Sequence, residues 1–377
     1  MDDLIQITEG TTKLLVPRES MSSDVPPKEP AFFNPRAKFN RDLSMIAYGA
    51  FVDNFEGPKI LLDGMSGIGA RSIRAANEIS NIETVVLNDV NPSALRIAMK
   101  SAEINTVNCK ISENETCRFL SEFAKRDNRG SIINLDPFGS PARYLDCALR
   151  ATMHGGMLAI TATDLQVLNG LFQNACLRRY GGIAVRTEYG NEVAIRLMLG
   201  CLNHIANRMD ITIQPLFVES DMHYYRAYTR ILNKPNQDDS EGIIIHCENC
   251  GHRTISNQKE NCKLCNSNTK HAGPLWIGKL FDKQFVQHMI KYLPKLNLDD
   301  KYQRILDVCV DEADMPVSYY TLDDIAKRMQ CSPPKLQTAI TQIKEAGFIA
   351  SKTSLNPTGF HTNANIKDVK KILSHDV

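Results

Sequence analysis

The most constraining feature of the sequence is a regular alternation of strands and helices that begins near residue 58. A buried strand is predicted over Lys59–Asp63, a glycine-rich turn over Gly64–Gly69 and a helix over Ala70–Ile79. A second strand is predicted over Thr84–Asp89, and Asn91-Pro92 begins the next helix. Strands that alternate with helices in this way form parallel sheets covered on both faces. The sequence therefore predicts an α/β fold with a doubly wound sheet.

The flanking segments predict an arm, a lid and further strands. Residues 1–30 are expected to form an arm with a loop. Residues 31–42 are dense in aromatic, amide and basic side chains, which favours a ligand-binding lid over a plain surface loop leading into a helix at Leu43–Val52. A polar run at Asn233–Gly242 marks a predicted domain boundary. The remaining predicted elements are strands at Asn108–Ser112, Ile132–Leu135, Met157–Thr161, Ile211–Ile213, Leu216–Val218 and Tyr228–Ile231, and a helix at Arg143–Ala151.

Length and composition describe an ordinary globular protein of two or three domains. The chain has 377 residues and a formal net charge of +1, so any nucleic-acid surface has to be a local patch. No apolar run approaches the ~20 residues of a membrane span. The N-terminus resembles neither a signal nor a transit peptide, which predicts a cytoplasmic protein without membrane contact. The cysteines number eleven; an odd total argues against a complete disulfide framework, and the scattered ones are expected to be reduced.

The glycine turn is a candidate cofactor site, because it follows a strand and lets the backbone approach a ligand closely. Asp89, at the end of the second strand, suits ribose hydroxyls, although a helix N-cap is the alternative. The turn lacks the G-x-G-x-x-G pattern of a pyrophosphate site, which points to S-adenosylmethionine, and either Arg71 or Arg41 is suited to its carboxylate. Residues after the third strand are expected to contact adenine, or simply to begin a helix. The candidate cofactor-binding residues are Asp63, Asp89, Arg71, Arg41, Glu115 and Thr116.

A second candidate site lies at the end of the predicted strand Ile132–Leu135, which runs into Asp136-Pro137-Phe138-Gly139. The Asp136 carboxylate can accept a hydrogen bond from an exocyclic amine of a base. Pro137 has no N–H, so nearby carbonyls can face the same amine, and Phe138 offers a stacking surface. The alternative is an Asp-Pro turn that only closes the strand. The predicted methyl-donor site beside this turn favours a base-binding role over a simple turn.

Taken together, the glycine turn, Asn88-Asp89 and Asp136–Gly139 resemble class I S-adenosylmethionine-dependent methyltransferases that act on an exocyclic amine. Over roughly residues 1–365, the chain resembles the tRNA (guanine-26-N2) dimethyltransferase family. One departure is the turn itself, Gly64–Gly69, which is richer in glycine than the Ala/Ser/Thr-rich versions common in that family. The motifs that carry the closer resemblance are Phe32–Arg36, Asn40–Asp42, Asp136–Pro141, Thr161–Asp164 and Gly273–Trp276.

The resemblance implies an enzyme that transfers one or two methyl groups to guanine N2 in tRNA. It implies that Asp136 is catalytic, with polarising or deprotonating the amine as its two possible roles, and that Phe32 and Phe138 sandwich a base flipped out of the RNA. It also implies that five residues bind S-adenosylmethionine: Arg41, Arg71, Asp89, Glu115 and Thr116. An N6-adenine or ribosomal-RNA N2-guanine methyltransferase is an alternative, since each substrate presents an exocyclic amine. A zinc-bearing RNA scaffold with an inactive cofactor fold is the non-enzyme alternative.

Four cysteines, Cys247, Cys250, Cys262 and Cys265, form two C-x-x-C pairs separated by eleven residues. This spacing predicts a structural zinc site with all four positions filled by protein. A redox pair or an iron–sulfur cluster is the less favoured alternative, and the flanking histidines are not expected to be ligands. Whether the module braces the linker or contacts RNA stays open.

The C-terminal region predicts a winged-helix-like, α+β domain. Thr321 is expected to cap a short helix, Ser332-Pro333 to begin a second, and Gly347 to end it. Four side chains there, Lys335, Lys344, Lys352 and His361, are candidates for phosphate contacts, as is Arg178-Arg179 near the active site; a packing domain with a solvated face is the alternative. The predicted units are therefore a catalytic domain (1–240), a zinc module (241–275) and a tRNA-binding domain (276–377), which we expect to act as a monomer.

Overall fold

A computed structural model describes residues 3–235 and 240–374. Part of the predicted boundary at Asn233–Gly242 lies outside the described residues. In chain order, the first elements are β1 (Leu4–Glu9), β2 (Thr12–Pro17), α1 (Glu19–Ser22), α2 (Lys38–Asp53), β3 (Ile60–Asp63), α3 (Ala70–Glu78), β4 (Thr84–Asn88), α4 (Pro92–Ile104), β5 (Cys109–Ser112), α5 (Thr116–Glu122), β6 (Gly130–Leu135), α6 (Leu145–Ala151), β7 (Thr152–Ala162), α7 (Leu165–Leu168) and α8 (Gln173–Tyr180). They are followed by α9 (Gly190–Asn207), β8 (Thr212–Asp221), β9 (Tyr224–Leu232), β10 (Glu241–His246), β11 (Arg253–Ser256), β12 (Lys270–Trp276), α10 (Lys283–Tyr292), α11 (Lys301–Glu312), β13 (Tyr320–Thr321), α12 (Leu322–Met329), α13 (Leu336–Glu345), β14 (Ala350–Lys352), β15 (Gly359–Thr362) and α14 (Ile366–Leu373).

A seven-stranded sheet forms the centre of the molecule, in the order β5-β4-β3-β6-β7-β9-β8. The first five strands are parallel, and β9 runs antiparallel to both of its neighbours. The predicted doubly wound α/β sheet is confirmed. The two predicted strands at Ile211–Ile213 and Leu216–Val218 are one strand, β8. Pro215 does not end it, because the pairing shifts register there and β8 is an edge strand, where proline is tolerated.

The N-terminal arm is a β-hairpin rather than a loose extension, since β1 pairs with β2 from Leu4 to Pro17. The following helix α2 begins at Lys38, five residues earlier than predicted. Its first turn therefore contains Arg41 and Asp42, which are both buried. Sequence periodicity does not detect this start, because polar side chains occupy the buried face.

Buried ion pairs explain that unusual helix start. Arg74 of α3 is fully buried and donates to Asp42 at 2.7 Å and to Glu78 at 2.9 Å. Arg41 makes a two-pronged pair with Glu9 of the hairpin, at 2.6 and 2.7 Å. Although burial opposes it, hydrogen bonds from Lys38 and Tyr302 and the charge of Arg74 hold the pKa of Asp42 below its usual value. Charges buried together in this way tie the hairpin, α2 and α3 into one unit.

Two cores stabilise the described chain. The larger extends from the hairpin and central sheet to α10 and α11. α10 packs so closely on α2 that a Cβ on Gly49 would overlap the ring of Tyr292, and Tyr302 of α11 donates to Asp42 at 2.5 Å. The smaller core begins at Tyr320. The predicted unit 276–377 thus includes helices that share the core of the central sheet, and the three proposed boundaries stay predictions.

The C-terminal part has the winged-helix-like composition predicted for it. The three-stranded sheet β13-β15-β14 packs with α12, α13 and α14 around the smaller core. Thr321 caps α12 through the N–H of Asp324, as predicted. The second helix begins at Leu336, after Ser332-Pro333, and the terminal helix α14 was not predicted. His361 is buried against Glu312 and cannot meet a phosphate, so that candidate was wrong.

One cysteine expectation was also wrong, because the structure joins Cys117 and Cys147 in a disulfide. The two residues lie 30 apart in sequence, on α5 and α6, and the packing of these helices brings their Cα atoms to 5.4 Å. Nothing in their spacing indicates a pair, since the two helices meet only in the folded chain. No helix within residues 3–235 and 240–374 has both the length and the apolar character to cross a membrane.

The buried ion network predicts a large stability effect at Arg74. Arg74→Met removes the cation and leaves Asp42, Glu9 and Glu78 without their shared partner. We expect a loss of about 3–5 kcal/mol in unfolding free energy, measured by chemical denaturation. Arg150→Met is the control, because Arg150 pairs with Asp146 at 2.8 Å on the surface and its loss should change stability by less than about 1 kcal/mol. Equal effects of the two substitutions would contradict a structural role for the network.

Candidate active site

The candidate site lies where the sheet changes direction. β3 and β6 are neighbours, but the strands that follow them lie in opposite directions along the sheet, with β4 on the far side of β3 and β7 on the far side of β6. In open α/β sheets, ligands bind at such a point, beyond the carboxyl ends of the strands. The glycine turn follows β3, Asp89 follows β4 and Asp136 follows β6. The fold therefore brings the two predicted sites, 47 residues apart between Asp89 and Asp136, to one edge.

Asp89 holds the glycine turn through hydrogen bonds from backbone N–H groups. The Asp89 carboxylate accepts from the N–H of Gly67 at 2.8 Å and from the N–H of Asn91 at 2.9 Å. Gly67 has a φ of +52°, and Phe32 of the predicted lid lies over it, with its carbonyl 3.8 Å from where a Cβ would stand. The Ser66 hydroxyl is buried and has no hydrogen-bond partner among the described residues. A buried polar atom of this kind requires a partner, which a ligand would provide.

Asp63 lies beneath the turn rather than in it. Its side chain is buried, and it accepts from the Ser72 hydroxyl at 2.5 Å and from the Asn134 amide at 2.8 Å. Burial raises the pKa of Asp63 above its usual value. With both oxygens used internally, Asp63 connects β3 to β6 and supports the turn; its predicted contact with a cofactor stays a prediction.

Glu115 and Thr116 flank the same turn at the start of α5. The Glu115 carboxylate caps the helix, accepting from the N–H of Cys117 at 2.8 Å and of Arg118 at 3.1 Å. The Thr116 hydroxyl donates to the carbonyl of Gly64 at 3.1 Å. These hydrogen bonds show that Glu115 and Thr116 begin a helix, which was the alternative interpretation. Their position beside Gly64 also fits the predicted contacts with adenine, which stay a prediction.

Asp136 is the charged centre of the site. Arg71 donates to its carboxylate at 2.8 Å, and the Asp136 side chain keeps 30% of its surface exposed. Burial alone would raise the pKa of Asp136, but the guanidiniums of Arg71 and Arg226 hold it below its usual value. The carboxylate is therefore ionised at neutral pH and accessible from one side, which makes it a hydrogen-bond acceptor.

Arg226 is the residue that sequence reasoning missed. It lies in the middle of β9, is fully buried, and donates to Thr161 at 2.5 Å, to Tyr48 at 2.9 Å and to Asn134 at 2.7 Å. Of the two arginines in β9, Arg226 lies in the buried, tyrosine-flanked half, which is an available signal because a charge in a buried strand needs a partner. It fixes the ends of β6 and β7 on either side of Asp136.

The two arginines predicted to bind the cofactor carboxylate have different surroundings. Arg71 contacts Asp136, the Ser44 hydroxyl and the Asn40 side chain. Arg41 is committed to Glu9, and it also donates to the carbonyl of Asn34 at 3.1 Å in the lid. Arg71 is thus at the site itself, whereas Arg41 connects the hairpin to the lid.

Phe32 and Phe138 come together from the lid and the strand end. Their ring centroids are 4.9 Å apart and the rings meet edge to face. Phe138 is 63% exposed, and the ammonium of Lys28 lies 5.0 Å from its centroid. The arrangement brings the two predicted stacking residues together with a cation, but leaves no gap between the rings for a base. Pro137 lies between Asp136 and Phe138 and supplies no N–H donor.

A neighbouring motif fixes the turn after Asp136. Gly139 exchanges two hydrogen bonds with Thr163, at 2.6 and 2.9 Å. The following Asp164 accepts from Arg179 at 2.9 Å and from Tyr180 at 2.6 Å. Arg179 and Tyr180 are thus engaged in holding the turn, and the basic track at Arg178-Arg179 stays a prediction.

The four cysteines of the candidate metal centre converge as predicted. The sulfurs of Cys247, Cys250, Cys262 and Cys265 all lie within 4.8 Å of one another. Each C-x-x-C pair forms the same turn, in which the residue after the second cysteine donates its N–H to the carbonyl of the first. These bonds run from Gly251 to Cys247 and from Asn266 to Cys262, both at 2.8 Å, and both donor residues have positive φ. Four thiolates at this spacing fit a tetrahedral ion.

Comparison with known proteins agrees with this geometry. A family model described as N2,N2-dimethylguanosine tRNA methyltransferase matches residues 10–374. The chain belongs to this family. It is 32% identical to a tRNA (guanine(26)-N(2))-dimethyltransferase of Methanothermobacter thermautotrophicus, over 98% of this chain and 99% of that one. It is 34% identical to the protein of the same name from Methanosarcina acetivorans, over 97% of each. The resemblance found in the sequence is confirmed.

A solved structure supports the fold assignment within the family. The complex of Trm1 from Pyrococcus horikoshii with S-adenosyl-L-methionine has a TM-score of 0.84 and 29% identity, and covers 98% of this chain and 99% of that chain. This similarity extends over the four-cysteine segment and the C-terminal region as well as the sheet. The family's fold is thus present along nearly the whole chain.

Behind Asp136, a buried carboxyl completes the network. Glu219 of β8 accepts from Tyr224 and Tyr228, each at 2.8 Å, and from Asn40 at 3.3 Å. Asn40 also contacts Arg71, so a continuous set of hydrogen bonds connects Glu219 to Asp136. Burial raises the pKa of Glu219 to about 7, even though Arg226 and the two tyrosines oppose the shift.

The raised pKa of Glu219 predicts a pH-dependent stability. Between the ordinary value of 4.5 and about 7, the folded protein holds a proton that the unfolded chain releases, so stability falls as the pH rises through this window. Relative to Glu219→Gln, the wild type should gain up to about 2 kcal/mol between pH 7 and pH 5.5. Denaturant titrations at both pH values measure this difference. The exposed Glu83→Gln is the control; identical pH dependence in wild type and Glu219→Gln would contradict the shift.

Proposed function

We propose that this chain methylates the exocyclic N2 amine of guanine 26 in tRNA, adding one or two methyl groups from S-adenosylmethionine. The observation that carries the proposal is the Asp136 carboxylate. It stands at the carboxyl end of β6, ionised by two arginines and open on one side, next to the exposed ring of Phe138. Membership of the N2,N2-dimethylguanosine tRNA methyltransferase family supports guanine as the base and tRNA as the substrate.

The residues around the glycine turn fit S-adenosylmethionine. The unpartnered Ser66 hydroxyl and the positive φ of Gly67, which lets the backbone approach closely, suit a ligand lying across the turn. We assign its ribose to Asp89, its carboxylate to Arg71, and its adenine to the start of α5. When bound, S-adenosylmethionine supplies an activated methyl group. The Pyrococcus horikoshii protein, whose structure is a complex with this ligand, supports the assignment. The proposed cofactor-binding residues are Arg71, Asp89, Glu115 and Thr116, with Arg41 and Asp63 supporting the lid and the turn.

The lowered pKa of Asp136 favours the role of hydrogen-bond acceptor over that of a base that removes the proton. A carboxylate with a depressed pKa is a weak base but a good hydrogen-bond acceptor. The guanine N2 lone pair is delocalised into the ring, so an N–H bond directed at Asp136 draws electron density onto the nitrogen. Asp136 therefore polarises and orients the amine, while Pro137 leaves neighbouring carbonyls free to accept the second N–H. The proton released on methylation passes to water.

The lid has to open for the target base. Phe32 and Phe138 now contact each other edge to face, at 4.9 Å between centroids. A guanine extruded from the tRNA would enter by parting the two rings, and stacking on both would offset part of the cost of leaving the helix. The Lys28 ammonium over Phe138 is positioned to meet a phosphate beside the extruded base.

The finer assignments follow from the same proposal. We propose that the four cysteines bind one zinc ion in a structural role, supported by their mutual distances and by having all four ligand positions filled. The exposed lysines of the C-terminal region, Lys335, Lys344 and Lys352, are proposed to meet the tRNA backbone. Because its substrate is tRNA, we propose that the enzyme works in the cytoplasm. That it acts as a monomer without a protein partner stays a prediction.

Asp136→Ala tests the proposed catalytic role. We expect methyl transfer to tRNA to fall by at least about 100-fold, since the amine loses its acceptor, while S-adenosylmethionine still binds by calorimetry. The assay uses labelled S-adenosylmethionine with unmodified tRNA, followed by nucleoside mapping. A tRNA with adenine in place of guanine at position 26 is the substrate control.

Several outcomes of this assay would contradict the proposal. Full activity of Asp136→Ala would remove Asp136 from the chemistry. Methylation of the adenine-26 tRNA or of ribosomal RNA alone would favour the alternative substrates. Wild-type protein that binds tRNA without any transfer would favour the inactive scaffold.

The metal assignment predicts one zinc per chain in elemental analysis of purified protein. Cys250→Ser combined with Cys262→Ser removes one ligand from each turn, so zinc content should fall to background. Cys331→Ser is the control, because this cysteine is half-exposed and lies outside the four-sulfur cluster. Iron with visible absorbance in the wild-type protein would indicate an iron–sulfur cluster instead of a zinc ion. Zinc retained in the double variant would show that the metal binds at another site.

A further inference from the structure

Arg253, the first residue of β11 in the zinc module, lies where three parts of the chain meet. Its guanidinium is stacked between Tyr189, at the start of α9 in the catalytic domain, and Tyr320, in β13 of the C-terminal region. The guanidinium carbon lies 4.3 Å from the first ring centroid and 4.0 Å from the second. Glu188 pairs with it at 3.0 Å, and the side chain is 3% exposed. One module residue therefore contacts both neighbours at once.

The environment of Arg253 is unusual for a purely structural arginine. None of its guanidinium nitrogens makes a well-formed hydrogen bond within the described residues. A buried cation with unsatisfied donors is destabilising compared with an apolar side chain of the same size. Two aromatic faces and one carboxylate offset this cost only while Tyr189, Tyr320 and the module keep their relative positions.

The cysteine turns hold Arg253 in place. His246 and Arg253 are partners across the β10–β11 hairpin, and the first cysteine turn, from Cys247 to Cys250, closes that hairpin. The N–H of Cys247 donates to the carbonyl of His252 at 2.8 Å, directly before Arg253. The conformation of the first cysteine turn thus sets the register that directs Arg253 between the two rings.

The same module contacts the C-terminal region elsewhere as well, including a hydrogen bond from Lys370 of α14 to the carbonyl of Cys250 at 3.4 Å. Arg328 of α12 donates to the carbonyls of Glu248 and Asn249, at 2.9 and 3.2 Å. Leu264, inside the second cysteine turn, packs against the C-terminal core. Both cysteine turns therefore contact the C-terminal region directly.

On the opposite side, the module is fixed to the catalytic domain through β12. Gly273 exchanges backbone hydrogen bonds with Ile183 at 2.9 and 3.0 Å. Arg196 of α9 donates to the carbonyl of Trp276 at 3.1 Å. Direct contacts between the two domains also exist, since Glu192 of α9 accepts from the N–H of Ser318 at 2.8 Å. The module adds a second connection with its own metal-dependent geometry.

We propose that the four-cysteine module couples the catalytic domain to the C-terminal region, and that Arg253 is the positioning residue through which metal occupancy fixes the orientation of that region for tRNA. The module acts on tRNA affinity and leaves the cofactor site unchanged. This inference rests on the proposed function for the identity of the RNA. It assigns bracing, rather than RNA contact, to the module.

Arg253→Met tests the coupling, since it keeps the length of the side chain and removes its charge. The dissociation constant for tRNA should rise by about tenfold, because the two RNA-binding surfaces are no longer held in one geometry. Binding of S-adenosylmethionine, by calorimetry, should change by less than about twofold. Small-angle X-ray scattering should show a larger radius of gyration. Lys270→Met is the matched control, because Lys270 lies in the same small sheet and pairs with Glu248 on the surface.

Metal removal provides the second arm. Chelating the metal from the wild type should reproduce the loss of tRNA affinity and the larger radius of gyration. In Arg253→Met, chelation should lower the tRNA affinity by less than it does in the wild type, because both changes disrupt the Arg253 contacts, whereas the Arg328 and Leu264 contacts are disrupted by chelation only. Fully additive effects, or wild-type tRNA affinity in Arg253→Met, would overturn the proposal.

Two substitutions of Tyr320 keep the proposal testable if the Arg253→Met variant does not fold. Tyr320→Phe preserves the aromatic face over Arg253 and should bind tRNA as the wild type does, whereas Tyr320→Leu removes the face and should behave like metal removal. Equal affinity in these two variants would overturn the coupling. The methyl-transfer assay tests the proposed function separately from the coupling. If the proposed function is wrong, the wild-type protein will not methylate guanine 26, whatever radius of gyration the scattering gives.

Discussion

The pairing of buried charges underlies both the architecture and the site of this protein. Asp136 is useful as an acceptor only because Arg71 and Arg226 keep it ionised inside the sheet edge. Arg226, fully buried, is in turn stabilised by Thr161, Tyr48 and Asn134. Each of these partners comes from a different element, so the charge balance of one carboxylate determines how α2, β6, β7 and β9 meet.

The same principle recurs at two other junctions. The Glu9–Arg41 pair and the Arg74–Asp42 pair attach the N-terminal hairpin and α2 to the sheet, which holds the lid with Phe32 over the glycine turn. Arg253 performs this role between the module and both of its neighbours. Since a buried ion is stable only with its partners in place, these contacts define relative positions more strictly than apolar packing does.

The sequence was sufficient for the local features of the site. The glycine turn, the Asp136–Gly139 turn and the four cysteines are short motifs whose residues are close in the chain, and the structure has each where its flanking strands predicted. The parallel sheet follows from buried runs such as Ile132–Leu135, because apolar periodicity is a local property. The strand boundaries differ by only a few residues for the same reason.

Contacts between distant polar residues required the folded chain. The periodicity of α2 could not reveal that Asn40, Arg41 and Asp42 are buried, because their partners lie on β1, β8 and α3. The sequence around Arg226 signals a buried charge but does not identify its partners, and the Cys117–Cys147 pair required two helices to meet. The amino-acid sequence alone was enough for the fold class, for the convergence of the four cysteines and for the position of Asp136 at a strand end. Which charges surround that carboxylate, and which domains Arg253 connects, emerged only from tertiary packing, since such pairings depend on distances that no local pattern encodes.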